Sequence, residues 1–294
     1  MIKTIPGPDP KPVKPSYTPP PLACDAHCHI YGPGNKFPYA SGIKYLPPDA
    51  GFEQMRALHE HLGFERAVIV QPNPHGTDNR ATLDGIARSN GAYRGVAVVA
   101  EDISDAELEV LHRGGIRGIR FNFVRHLGGA PEIPVFERMV ARIKPLGWHV
   151  VLHFDAQDVP VYADLIRRMP VPFVIDHMAR VQAAGGLDQP AFRALLGLMK
   201  NPLAWVKISG AERVSTEGPP FRDAVPFARA LVEAAPDRVL WGTDWPHPNV
   251  KWIPNDGELV NLFAELVDDE GLRRKVLVDN PARLYWSENT EQRR

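Results

Sequence analysis

Only two cysteines occur in the 294-residue chain, Cys24 and Cys28. A disulfide within one extended strand is geometrically poor, and a zinc knuckle needs further ligands at knuckle spacing. The chain therefore reads as a protein of a reducing, cytoplasmic compartment. Charge of one sign is also lacking, since the formal net charge is −1. Such a balance points away from nucleic acid and from a polybasic membrane surface. No apolar run reaches membrane-spanning length, and the N-terminal stretch has no signal-peptide core. No glycine-rich phosphate loop follows the first apolar run, and no G-x-S-x-G nucleophile elbow is found. Repeats of solenoid length are absent too.

What is present is enough apolar material for a substantial core, with 44% hydrophobic and 23% charged residues. Residues 1–22 are polar and proline-rich, which predicts an extended arm over the domain surface or onto a neighbouring subunit. Residues 23–294 read as one domain. Short β-branched runs begin with "CDAHCHI" and continue with "RAVIVQP", "YRGVAVVA", "IRGIRFNF", "HVVLHF", "PFVIDHM", "AWVKIS" and "RVLWGTDW". Their near-continuous apolar character suits parallel strands buried on both faces. Amphipathic segments lie between them, several stopping at Gly or before Pro, and "SDAEL" opens with a Ser cap and acidic residues in its first turn. Strand then helix, about eight times over, predicts a (β/α)8 barrel. The doubly wound open sheet is the alternative that the missing phosphate loop disfavours.

Catalytic groups of such a barrel sit at the C-terminal strand ends. There the sequence puts His27 and His29 on the first strand, His153 on the fifth, His177 on the sixth and Asp244 on the eighth. Alternation along a strand aims His27 and His29 the same way, with Asp25 below them and both cysteines facing away. Each residue alone reads as a hydrogen-bonded core histidine or a turn aspartate; together they read as a metal centre for Zn²⁺, with Mn²⁺ the alternative. Asp244 or His177 would then handle the proton of an activated water. Arg120 and Arg213 near the same mouth suit an anionic group through paired hydrogen bonds, with Arg125 and Arg180 weaker. His75 and Thr77 follow the second strand and read either as substrate contacts or as loop and cap residues. His149 starts the fifth strand at the wrong end and reads as structural. His59, His61 and His112 are expected on solvent-facing sides of helices.

"DAHCHIYGPG", "VIDHMAR" and "LWGTDWPHPN" resemble the amidohydrolase superfamily, in its amidohydrolase-2 branch. Together with "HGTDNR", "GIRGIRFNFV", "LGWHVVLHF" and "VDNPARLYW", they resemble most the 2-pyrone-4,6-dicarboxylate lactonases and, beside them, the 4-sulfomuconolactone hydrolases. The resemblance runs from about Ala23 to Trp286. It implies a metal-assisted hydrolase that opens a small anionic lactone during bacterial breakdown of aromatic compounds. It also implies substrate contacts from Tyr45 and Asn249. Two positions depart from the pyrone lactonases, His153 where they carry a tyrosine and His126 where they carry an arginine. The first favours a metal centre, and the second weakens the pyrone dicarboxylate itself as substrate and raises the sulfonated lactone. A decarboxylase of an aromatic acid and a non-catalytic small-acid binding barrel are the rival readings. A monomer or small homo-oligomer is expected, with no nucleic-acid or membrane partner.

Overall fold

The structure is a computed structural model that describes residues 2–124 and 129–287. Arg125 and His126 lie outside the described residues. Eight parallel strands follow one another in sheet order: β1 Cys24–Cys28, β2 Arg66–Val70, β3 Tyr93–Ala97, β4 Ile116–Asn122, β5 His149–His153, β6 Phe173–Ile175, β7 Ala204–Lys207 and β8 Val239–Leu240. Three backbone hydrogen bonds join the two edge strands: Ala26 N to Trp241 O at 2.9 Å, Asp244 N to His27 O at 2.8 Å and His29 N to Trp245 O at 2.8 Å. They close the sheet into the expected barrel. Gly242 lies on this seam, where a Cβ would stand 2.4 Å from the His27 amide nitrogen. Only glycine lets the first and last strands approach so closely.

The helices α1 Phe52–Leu62, α2 Arg80–Ala87, α3 Asp105–Arg113, α4 Ile133–Ile143, α5 Val159–Arg167, α6 Pro190–Leu198, α7 Val225–Ala234 and α8 Asp256–Leu266 surround the strands. Ser104 caps α3 as expected, accepting from Glu107 N while the Glu107 carboxylate accepts from Ser104 N. Helix α8 and the shorter Asn280–Tyr285 follow the last strand. The main core fills the space between strands and helices. A second cluster fills the barrel interior, with Cys24, Ala26, Val68, Val70, Val96, Val151, Val174, Trp205 and Leu240, and it is closed by Tyr285 and Trp286. No helix among the described residues is long and apolar enough to cross a membrane.

The proline-rich arm lies against its own domain. Lys3–Thr4 pairs in parallel with Tyr45–Leu46. Further along, Val13 N donates to Asn255 Oδ1 at 3.0 Å and Ser16 N to Asn261 Oδ1 at 2.7 Å, both on the α8 side. Tyr17 packs its ring 5.9 Å from that of Phe263.

Strand β1 departs from simple alternation. Asp25 pairs with Ala67 but Cys28 pairs with Ile69, so three steps on β1 match two on β2. This is a β-bulge, which re-aims the side chains beyond it. Asp25 consequently points outward, away from the histidine pair and not below it on the same face. Cys24 faces the barrel interior while Cys28 joins the outer core. Both cysteines are buried and free. The three helix histidines are also corrected. His59 is buried with 1% exposure, and His61 and His112 are half-buried. The apolar stripe Phe52, Met55, His59, Leu62 carries His59 into the core, and His112 accepts from Trp148 Nε1 at 2.9 Å.

Candidate active site

Strand ends and the loops after them bring the predicted residues to one mouth. The rings of His27 and His29 meet edge to face, 4.9 Å between centroids, and His177 lies 4.5 Å from His27. One carboxylate oxygen, Asp244 Oδ1, stands 3.2 Å from His29 Nε2, 3.5 Å from His27 Nε2 and 3.7 Å from His177 Nε2. All four groups are buried. His177 and Asp244 have left-handed backbones, with φ of 51° and 63°. Left-handed geometry is costly for non-glycine residues and persists where the surroundings over-determine it. Met178, Ala179 and Arg180 continue the same left-handed turn after β6.

The imidazole tautomers bear on what fits between these groups. His29 Nδ1 lies 2.7 Å from the Val70 carbonyl, which can only accept. A neutral His29 therefore presents an Nε2 lone pair to the carboxylate oxygen. Two acceptors at 3.2 Å repel unless a cation or a proton lies between them. His27 Nε2 and His153 Nε2 are buried with no hydrogen-bond partner. His27, His177 and Asp244 each offer a ligand atom, all within 4.8 Å of one another. The donor set of neutral imidazoles and a carboxylate fits a divalent cation. His153 is one step further out on the wall, its ring 5.9 Å from that of His177. Its Nδ1 lies 3.0 Å from Asn122 Oδ1, and Asn122 Nδ2 donates to Asn73 Oδ1 at 2.8 Å, so its Nε2 faces the cleft as an acceptor. Asp25, Cys28 and His59 also lie close together, but Asp25 already accepts four hydrogen bonds there, which is the environment of a structural group.

Charge beneath and beside the histidines is dense. Burial, and after it the Lys207 ammonium, pushes the His27 imidazole down to about 3, so it is neutral near pH 7. Burial also lowers His153 and His177 well below the ordinary range. Burial alone would raise the Asp244 carboxyl, but the Arg213 guanidinium holds it well below the usual carboxylate range. Lys207 and Asp176, which the sequence reading did not single out, form a buried pair at 3.1 Å under the site. Lys207 Nζ lies 2.9 Å from His27 Nδ1, and Asp176 also takes Arg120 Nη2 at 3.0 Å. The parity of β7 carries this signal: Trp205 faces the interior, so Lys207 and then Ser209 do too, and Ser209 Oγ meets His177 Nδ1 at 3.0 Å.

The cleft above is lined by His29, Tyr31, Tyr45, Pro72, Asn73, Arg120, His153, His177, Arg180, Arg213, Asp244, Pro248 and Asn249. Arg120, Arg213, Tyr45 and Asn249 thus reach it. Arg213 is already engaged, however, with Nε and Nη2 both on Asp244 Oδ2. Arg180 pairs with Asp155 at 3.0 Å on the same wall. His75 and Thr77 do not line the cleft. His75 Nε2 accepts from Gly32 N at 3.0 Å and holds the loop after β1, while Thr77 is exposed and its carbonyl accepts from Asn79 Nδ2. His149 is buried at the opposite end of β5, edge-on to Tyr285.

With this geometry in view, the relatives can be compared. A 2-pyrone-4,6-dicarboxylate hydrolase of Comamonas testosteroni is 48% identical over 94% of this chain and 94% of its own length. A 4-sulfomuconolactone hydrolase of Hydrogenophaga intermedia is 43% identical over 90% of this chain and 89% of its own. A solved structure from Pseudomonas putida superposes with a TM-score of 0.81 at 33% identity, covering 91% of this chain and 98% of that one. The model of the Amidohydro_2 family, amidohydrolase, matches residues 24–286. The chain belongs to that amidohydrolase family.

Proposed function

We propose that this chain is a hydrolase that opens a lactone ring carrying an anionic group, in the breakdown of aromatic compounds. One observation carries the reading. Asp244 turns Oδ1 to three imidazoles and has Oδ2 held by Arg213, at the floor of a cleft that Arg120 and Arg180 also line. Such a carboxylate is placed to take a proton from a water attacking the lactone carbonyl and to return it to the ring oxygen as the C–O bond breaks. Arg120 lines the cleft with its Nη2 on Asp176, so its guanidinium offers positive charge there to a substrate carboxylate or sulfonate. Tyr45 and Asn249 stand at the rim of the same cleft. His27, His29, His177 and Asp244 would hold a divalent cation, zinc being our assignment and manganese the alternative, with His153 the next ligand outward. Such an ion would polarise the carbonyl and lower the pKa of a water.

The reading is tested with purified protein on 2-pyrone-4,6-dicarboxylate and 4-sulfomuconolactone, following loss of ring absorbance, with carbon dioxide release measured in parallel. Ring opening without carbon dioxide is expected. Asp244→Asn should fold and lose roughly a hundredfold to ten-thousandfold in kcat. Carbon dioxide release in place of ring opening, or a variant keeping more than about a tenth of kcat, would overturn the assignment.

A further inference from the structure

The outward-facing carboxylate of Asp25 has no part in that chemistry, yet it is buried and fully engaged. Asp25 Oδ1 accepts from His27 N and Thr243 N, each at 3.0 Å. Its Oδ2 accepts from Thr243 Oγ1 at 2.6 Å and from His59 Nε2 at 3.1 Å. His59 Nδ1 in turn meets the Tyr93 hydroxyl at 3.1 Å. One side chain therefore grips the amide of a candidate ligand on the first strand and both donors of the residue preceding Asp244 beyond the last strand.

We propose that Asp25, backed by His59 and Tyr93, is a positioning residue: it clasps the barrel seam and sets the separation of His27 and Asp244. The bulge in β1 is what makes this possible, because it sends Asp25 outward while His27 turns inward. Seam hydrogen bonds from the main chain alone fix the two strands along their length. The carboxylate adds a lateral constraint, since Oδ1 bridges them through His27 N and Thr243 N while Oδ2 ties Thr243 Oγ1 to His59 on α1. The constraint acts on atoms that must face each other within a few tenths of an ångström for the site to work.

The test rests on the lactonase reading for one readout and is independent of it for the other. Asp25→Asn replaces one accepting oxygen by a donor that faces donors. Thr243→Val removes the hydroxyl at equal volume, and Thr243→Ser restores it. With each variant folded at assay temperature by thermal melting, Asp25→Asn and Thr243→Val should lose about a hundredfold in kcat while KM moves less than about threefold, and Thr243→Ser should recover to within about threefold. In parallel, imidazole resonances of the isotope-labelled proteins without substrate should shift for His27 and His29 in the first two variants and return in the third. Variants that melt earlier but keep wild-type kcat and imidazole spectra would show that Asp25 only supports the fold, and would overturn the proposal. Should Asp25→Asn fail to fold, the Thr243→Val and Thr243→Ser pair decides alone. A wild-type protein that opens no lactone would defeat the lactonase reading, and the spectra would still decide the clasp.

Discussion

Arg213 donates from both Nε and Nη2 to a single oxygen of Asp244, Oδ2, at 2.9 and 2.5 Å, leaving Oδ1 to the histidines. The carboxylate is thus divided by role, one oxygen anchored and the other presented. Glu212 lies behind the guanidinium, 3.5 Å from Arg213 Nε, and burial raises its carboxyl.

Replacing Arg213 by Gln should change the base and not only substrate grip. The guanidinium is the leading group that lowers the Asp244 carboxyl, so its loss raises that carboxyl and moves the acid limb of kcat/KM to higher pH. A fall of roughly 2–3 kcal/mol in transition-state stabilisation should accompany it. The pH profile of kcat/KM is the measurement, and an acid limb that stays in place would show that the pair does not set the basicity.

Asn122 holds His153 in the tautomer that turns Nε2 to the cleft. If His153 holds a divalent cation as proposed, Asn122→Leu should let the ring rotate or exchange its proton, lowering cation affinity or kcat/KM by roughly tenfold to a hundredfold. Chelator competition and steady-state kinetics on the same preparation check this. Unchanged values for both would mean that Asn122 does not set the ring.

Acid should destabilise the fold through His149. Burial, with Lys207 nearby, pushes its imidazole down to about 3 against an ordinary value of 6.5. Its depressed folded value means that the unfolded chain binds the proton first. The neutral ring's contribution is therefore whole above about pH 6.5 and is lost at about 1.4 kcal/mol per pH unit as the pH falls toward the folded value. Denaturant titrations at pH 7 and pH 5 should show the loss, and His149→Leu should flatten that dependence. An equal slope in the variant would place the acid sensitivity elsewhere.

Much of this architecture was legible in the sequence because parallel barrel strands are apolar on both faces and their exits are polar. His27, His29, His153, His177 and Asp244 could be placed at the mouth on that ground alone. The facing of Asp25 could not, since a bulge adds a residue without leaving a mark in composition. Arg213 was legible as a cation at the mouth, but its partner lies on a different strand and is fixed by packing. Lys207, Asp176 and His59 were missed for a different reason. A charged residue in an apolar run reads as a strand end, and a histidine on a helix reads as surface, although period and parity carry the contrary signal in all three. Arg125 and His126 lie outside the described residues, so the departure at His126 rests on the sequence alone.

The seam has a consequence for biosynthesis. Asp25 and Thr243 are separated by 218 residues, and His29 and Asp244 by 215. A ribosome emits the histidine pair early and the aspartate near the end of the chain, at roughly 5–20 residues per second. For most of translation the nascent chain therefore carries unpaired imidazoles with no carboxylate to face them. The full set of His27, His29, His177 and Asp244 is therefore assembled only when the last strand has emerged and docked.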